Sequence, residues 1–325
     1  MNRTRNRIRL LLACAALLFP MHAASAAEAA YPVRPIRMIV PFVAGGGTDL
    51  LARLLSPRLG EVLGQQIVID NRGGGASVLG TQLLSKSPPD GYTIAMMDTA
   101  FAINPGFAEK LPYDAERDFA YIAIIATNPT VLVARSSLKA RTLQDLIAAA
   151  KANPNSIKAA SAGVGSSSHL SIELLMTAAK VRFLHVPYKG AGAAIQDMLG
   201  GHADFTFAVP GSVAGQIQAG TFVALAVNKP TNVLPNTPTF AAAGIPMLNP
   251  EAFRFIVAPV GISPAINQKL ASAFSTIMAE PELQKRLVDN GYDPDFHSGK
   301  EAREFVMREI RKWRQAVKDS GAKPN

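Results

Sequence analysis

The strongest constraint on this chain is an alternation that persists through most of its 325 residues: short runs rich in Val and Ile exchange with stretches of helical periodicity. Residues 36–40, 67–69, 93–97, 121–125 and 131–133 read as strands, with helices at 50–63 and 143–150. The pattern continues with a strand at 158–161, a helix near 170–179, a strand at 183–186, a helix near 193–199, and strands at 204–208 and 223–227. Such wiring predicts an α/β protein with largely parallel strands flanked by helices.

Length argues for two cores rather than one, because single hydrophobic cores stop growing at about 250–300 residues. Residues 121–135 read as near-continuous strand, broken only at Asn128-Pro129, which suits a segment running between two lobes. After Val227 the prolines at 230, 235, 238, 246 and 250 punctuate the chain, then a strand at 253–258 and helices from Pro264 onward suit a return crossing. The expected division is a leader at 1–26, lobe 1 from 27–126 with 228–325, and lobe 2 from 127–227.

The leader is read from its chemistry. Arg3, Arg5, Arg7 and Arg9 form a basic start, residues 10–19 an apolar stretch, and Ala24-Ser25-Ala26 a small-residue cleavage site, the pattern of a secretory signal cut near Ala26. The apolar stretch falls short of the ~20 residues that a membrane span needs, so the mature chain is expected to be soluble. Cys14, the only cysteine, follows Leu11-Leu12-Ala13 and superficially resembles a lipid-attachment motif. Cleavage there would leave too short an apolar run, so it reads as an ordinary leader residue. Disulfides and cysteine-based metal or nucleophilic sites are then unavailable to the mature protein.

Four of the nine formal net positive charges belong to the leader. The rest of the basic residues are dispersed, densest at 303–318 on an amphipathic pattern around Phe305, Ile310, Trp313 and Val317, which suits a solvated C-terminal helix better than a nucleic-acid surface. His169, His185, His202 and His297 lack metal-ligand spacing. No metal, cofactor or nucleic-acid partner is expected.

Two glycine-rich loops, 41–49 (PFVAGGGTD) and 71–80 (NRGGGASVLG), each lie between a strand-like run and a helical pattern. Glycines let the backbone approach a ligand closely, and the following helix aims unpaired N–H groups and its positive dipole end at negative charge. Neither loop has nucleotide-binding spacing. A carboxylate pocket is the reading they favour.

These loops belong to an ordered set: Tyr31-Pro32, Arg34-Pro35-Ile36, Pro41-Phe42, Gly45-Gly46 and Asp49, Asn71-Arg72, Pro89-Asp90-Gly91-Tyr92-Thr93 and Ile103-Asn104-Pro105. It continues with Ser161, Gly163, Gly165-Ser166, His169-Leu170, His185-Val186-Pro187-Tyr188-Lys189-Gly190, Gly200-Gly201-His202, Asp204 and Phe207. Ala224 to Val227, Leu234-Pro235, Pro238-Thr239, Ala258-Pro259 and Lys312-Trp313 complete it. In this order and spacing the chain resembles the substrate-binding receptors of tripartite tricarboxylate transporters, the Bug-type periplasmic proteins. The resemblance implies a two-lobed type II periplasmic binding protein fold, each lobe a mostly parallel sheet flanked by helices. It implies a monomeric, non-catalytic receptor that closes on a small organic acid and presents it to permease subunits in the membrane. A receptor docking on a sensor kinase, and a hydrolase using Ser166 and His169, are the alternatives; the second lacks a Gly-x-Ser-x-Gly elbow.

The resemblance also implies the site. Phe42, Val43, Ala44, Gly45, Gly46 and Gly47 correspond to the first carboxylate loop, with Asp49 either capping the next helix or touching ligand. Gly74, Gly75, Ala76 and Ser77 correspond to the second, where the family reads Asn-Arg-x-Gly-Ala-Gly-Gly. A methyl at Ala76 restricts positive φ by about 1 kcal/mol, so a locally different path is expected, with Asn71 and Arg72 either bracing the loop or touching ligand. Asp98 and Thr99 lie where the family carries small hydroxyl or amide residues; Asp98 either caps a helix or faces the cleft, where it would repel a second carboxylate and favour an amine, a ring N–H or hydroxyls. Ser161, Gly163, Gly165 and Ser166 correspond to the loop receiving the ligand's other end, Lys189 and Gly190 to a possible cleft contact, and Asp204 to an acid that touches ligand or orients backbone. Arg254, between Phe253 and Phe255, replaces a small residue of the family and is either a positive group at the cleft or a surface ion pair.

Overall fold

The structure, a computed structural model, describes residues 31–108, 110–246 and 252–320; the leader with Cys14, and Pro250, lie outside them. The strands are β1 (Ile36–Val40), β2 (Ile67–Asn71), β3 (Thr93–Asp98), β4 (Phe119–Asn128), β5 (Val131–Arg135), β6 (Lys158–Ser161), β7 (Leu184–Pro187), β8 (Phe205–Ala208), β9 (Phe222–Val227), β10 (Ala252–Pro259) and β11 (Asp293–Ser298). The helices are α1 (Gly47–Leu63), α2 (Val78–Ser85), α3 (Thr99–Phe107), α4 (Leu143–Ala152), α5 (Ser167–Ala179), α6 (Ala191–Leu199), α7 (Pro210–Gln218), α8 (Pro264–Met278), α9 (Pro281–Asp289) and α10 (Gly299–Ser320).

Two sheets result, with orders β11-β4-β10-β3-β1-β2 and β7-β6-β8-β5-β9. Parallel pairing is confined to β1 with β2 and β3, and to β6 with β7 and β8. All pairings of β4, β5, β9, β10 and β11 are antiparallel, so each sheet is mixed rather than mostly parallel. The cause is the double crossing: β4 leaves the first sheet as β10 enters it, and β5 enters the second as β9 leaves. Only Pro129 and Thr130 separate β4 from β5.

Alternation along the strands buries both faces of each sheet. In β1, Met38 joins the core under α1, α8 and α9 with Leu51, Leu55, Leu270, Phe274 and Leu287. Its neighbour Ile39 joins the opposite core with Phe101 of α3 and Val306, Ile310 and Trp313 of α10. The second sheet divides likewise between α4 with α5 and α6 with α7. The helices that follow β1, β3, β6, β7 and β8 all start at the strands' carboxyl ends. That common polarity turns their N-termini toward a shared cleft.

Candidate functional site

The cavity there measures about 60 Å³ and takes its wall from those helix starts: Gly46, Gly47 and Thr48 at α1, Asp98 at α3, Ser167 and Ser168 at α5, Ala191 at α6, and Val209 and Ser212 at α7. Asp98 caps α3 by accepting from the Ala100 N–H, and Ser166 caps α5 by accepting from the His169 N–H. The starts of α1, α6 and α7 carry no side-chain cap. First-turn N–H groups have no intrahelical acceptor, and the dipoles add positive potential, so an anion is the natural complement of this wall.

The first glycine loop is held by a network of its own. Asp49 accepts from the Gly45 N–H at 3.0 Å, pairs with Arg53 and accepts from Asn71 Nδ2, which also donates to the Phe42 carbonyl. Tyr292, fully buried, donates to the Gly47 carbonyl at 2.5 Å. Asp49 thus locks the loop, and Asn71 braces it; Arg72 instead pairs with Asp70 at the surface. Burial would raise the Asp49 carboxyl, but bonds from Arg53, Gly45 and Asn71 outweigh it and hold the group below its ordinary value. Stability from this depressed acid is present above the unfolded-state value and lost as pH falls through the folded one. Asp49→Ala is expected to cost about 1–3 kcal/mol in urea unfolding at neutral pH, with the deficit shrinking in acid.

In the second loop Gly74 and Gly75 lie beside Leu79 and Val78 of α2. Ala76 and Ser77 both sit at positive φ, 48° and 77°. Both side chains thus occupy the left-handed region that favours glycine. Asn104 fixes it, donating to the Ala76 carbonyl and the Ser77 hydroxyl, and Ala76 packs with Phe42 and Ala100.

Arg254 and Asp98 are the charged residues of the cavity wall among the described residues. Phe253 and Phe255 enter the aromatic core, so strand alternation sends Arg254 to the opposite face, where Asp98 is its cross-strand partner in β3. Arg254 is 5% exposed; one guanidinium N–H donates to the Phe253 carbonyl, while Nε is buried without a partner. A methyl on Gly47 would lie 3.4 Å from its guanidinium, which puts the cation beside the first loop. Among the described residues it makes no ion pair. Burial pushes the Asp98 carboxyl up, opposed by Arg254, the Ala100 N–H and Thr48.

On the other side, Ser161 and Ser166 are buried and shape the loop rather than line the cavity. The Ser161 hydroxyl contacts His185 Nε2 at 2.6 Å and accepts from the Gly163 N–H. His169 Nδ1 accepts from the Gly165 N–H, and its ring stacks on His185 and meets Phe107 edge-on. The imidazole of His169 is thereby occupied, with no hydrogen bond to the Ser166 hydroxyl that a hydrolytic pair would need. Burial and the neighbouring His169 push His185 down from 6.5 to about 4. Between those values the unfolded chain binds the extra proton, so His185 contributes stability above pH 6.5 that is lost as pH falls toward 4. The melting temperature of His185→Gln is expected to fall less steeply than the parent's across that window.

Gly163 and Gly190 allow close approach: a methyl on the first would lie 3.0 Å from the Tyr188 carbonyl, and on the second 2.7 Å from Val43. Gly165 lies against Phe107. Val43 therefore meets the opposite loop, while Ala44 and Gly45 are exposed. Lys189 is exposed at the rim. Thr99 is fully buried, its hydroxyl accepting from the Phe253 N–H. Asp204 precedes β8 at the end away from the cleft, paired with Arg135 and accepting from the Lys158 N–H. The lining residues that sequence reasoning passed over are Thr130, Ser167, Ser168, Ser171, Ser212 and apolar neighbours. The signal for Ser167, Ser168 and Ser171 was the serine-rich helix start itself.

The family profile of the tripartite tricarboxylate transporter family receptor matches residues 51–322. Protein BugT of Bordetella pertussis is 32% identical over 329 residues, covering 99% of both chains. R. palustris Rpa4515, solved with adipate, superposes with a TM-score of 0.87 at 30% identity over 91% of this chain and all of its own. MatC from Rhodopseudomonas palustris, solved with malate, gives 0.83 at 28% identity, covering 88% of this chain and all of that one.

Proposed function

We propose that this chain, which belongs to the tripartite tricarboxylate transporter receptor family, is an exported receptor that closes its two lobes on a small carboxylate and delivers it to the membrane subunits of the permease. The observation that carries this reading is the convergence of three uncapped helix N-termini and the unpaired Arg254 guanidinium on one cavity. The related receptors solved with adipate and malate hold ligands of the class that such a wall would attract.

In this reading the leader at 1–26 is removed and the mature monomer works in the periplasm, with 27–126 and 228–325 as one lobe and 127–227 as the other. Among the described residues no helix is long and apolar enough to cross a membrane. The ligand is held and released without bond chemistry. Phe42, Gly46, Gly47, Thr48, Asp98, Arg254, Ser167 and Ser168 touch it; Asp49, Asn71, Ser161 and Ser166 keep the loops in shape.

Native-state binding raises stability by mass action, about 2.7 kcal/mol at a ligand concentration a hundred times Kd. A thermal-shift panel of mono-, di- and tricarboxylates, amino acids and aromatic acids is expected to raise the melting temperature for one chemical class. A flat panel at millimolar acid would contradict the proposal.

A further inference from the structure

Arg254 and Asp98 are neighbours that do not satisfy each other. They are opposed in the antiparallel pairing of β10 with β3, which puts their Cβ atoms about 4.5–5.5 Å apart on one face. Both are buried, at 5% and 6% exposure, and both line the cavity, yet no ion pair joins them and Arg254 Nε lacks a partner. A buried cation whose neighbouring carboxyl lies beyond ion-pair distance is under-compensated, and an incoming anion completes the arrangement. A carboxylate has about four acceptor sites. The Ala100 N–H and Thr48 use two at Asp98, and the acceptor sites that remain are open to a donor brought by the ligand.

We infer that the two residues read one end of the ligand together: Arg254 takes a carboxylate, and Asp98 accepts from an amino or hydroxyl group on the adjacent carbon. The inference rests on the receptor reading and narrows it to acids with a vicinal hydrogen-bond donor. The register puts both side chains on one face of the cavity wall, so neighbouring groups at one end of a ligand can meet both. A plain acid would leave the remaining acceptor sites of Asp98 without a donor. The opposite wall, rich in the hydroxyls of Ser167, Ser168, Ser171 and Ser212, accommodates a variable remainder.

The test is calorimetric titration of the secreted protein with matched triplets: propionate, lactate and alanine; succinate, malate and aspartate; 3-phenylpropionate, phenyllactate and phenylalanine. In at least one triplet the hydroxy or amino acid is expected to bind about tenfold more tightly than the plain acid, and comparison of those two arms identifies the donor. Asp98→Ser and Asp98→Asn both retain an N-capping oxygen, so the fold persists, and both are expected to reduce the preference to about twofold or less. Equal binding of plain and donor-bearing acids by the parent, or an undiminished preference in both variants, would overturn the inference while leaving the receptor reading intact. Absence of binding by all nine acids would overturn this inference; silence across the wider carboxylate panel is what would remove the receptor reading.

Discussion

Arg254→Met is expected to weaken carboxylate binding about a hundredfold while leaving the ligand-free protein at least as stable as the parent. The two effects have one origin. Arg254 is a buried cation with an unpartnered Nε and no ion pair among the described residues. Replacing a buried, poorly compensated charge with an apolar chain of similar length is often neutral or stabilising. Truncating one side of a desolvated charge contact costs about 2–5 kcal/mol, and each 1.4 kcal/mol is tenfold in affinity. Chemical unfolding without ligand and calorimetry with the acid giving the largest thermal shift measure the two halves separately. A loss of stability with affinity retained would make Arg254 a scaffold residue.

The second large effect concerns closure. Gly192 lies in α6, where alanine is intrinsically favoured over glycine by about 1 kcal/mol. A methyl there would sit 2.8 Å from the Ala44 carbonyl oxygen and 3.3 Å from the Gly45 carbonyl carbon, both backbone of the facing loop. Gly192 and the first loop fall in opposite lobes of the proposed division, and opening the lobes would relieve this contact. Gly192→Ala is therefore expected to keep or raise the melting temperature of the free protein while weakening binding at least tenfold and abolishing ligand-induced compaction in small-angle scattering. Unchanged affinity with normal compaction would mean that α6 and the first loop need not meet in the liganded form. Gly211 offers a contrast: its added methyl would fall 1.9 Å from the Asn290 carbonyl, close to where Asn128 of β4 donates to Gly291 beside the crossing. A clash at that position is expected to destabilise the free protein as well.

The parts of the fold readable in the sequence were those with simple periodicity and buried faces. β1 is apolar enough to stand out at its full bounds, and the long apolar run up to Asn128 announced the first crossing. β11 was passed over because Asp293, Pro294, Asp295 and His297 give an edge strand no apolar alternation. α3 carries Pro105 in its interior, and α2 carries Gly80, whose missing side chain admits Pro41 at a distance where a methyl would meet it at 2.7 Å. The antiparallel half of each sheet was hidden for another reason: strand direction is set by which lobe the chain comes from, and local pattern carries no trace of it.

The site divides in the same way. Loop 41–49 stands out in the sequence because glycines before a helix suit a tight turn or close backbone approach, and Asp49 and Asn71 brace it in the structure. Thr99, Ser161 and Asp204 were singled out by place in the chain, yet their side chains are engaged by Phe253, His185 and Arg135. For Arg254 the sequence leaves a cleft cation and a surface ion pair open; the flanking phenylalanines that enter the core decide for the cavity wall. What sequence does not give is the pairing register that sets it opposite Asp98.

The most direct test of the account is a crystal structure with the acid that gives the largest thermal shift. A carboxylate within about 3 Å of the Arg254 guanidinium, with its remaining lone pairs turned to the N–H groups at the start of α1, is the predicted result. A ligand seated with no anionic group near Arg254, or held outside the cavity between the two glycine loops and α5, would contradict it.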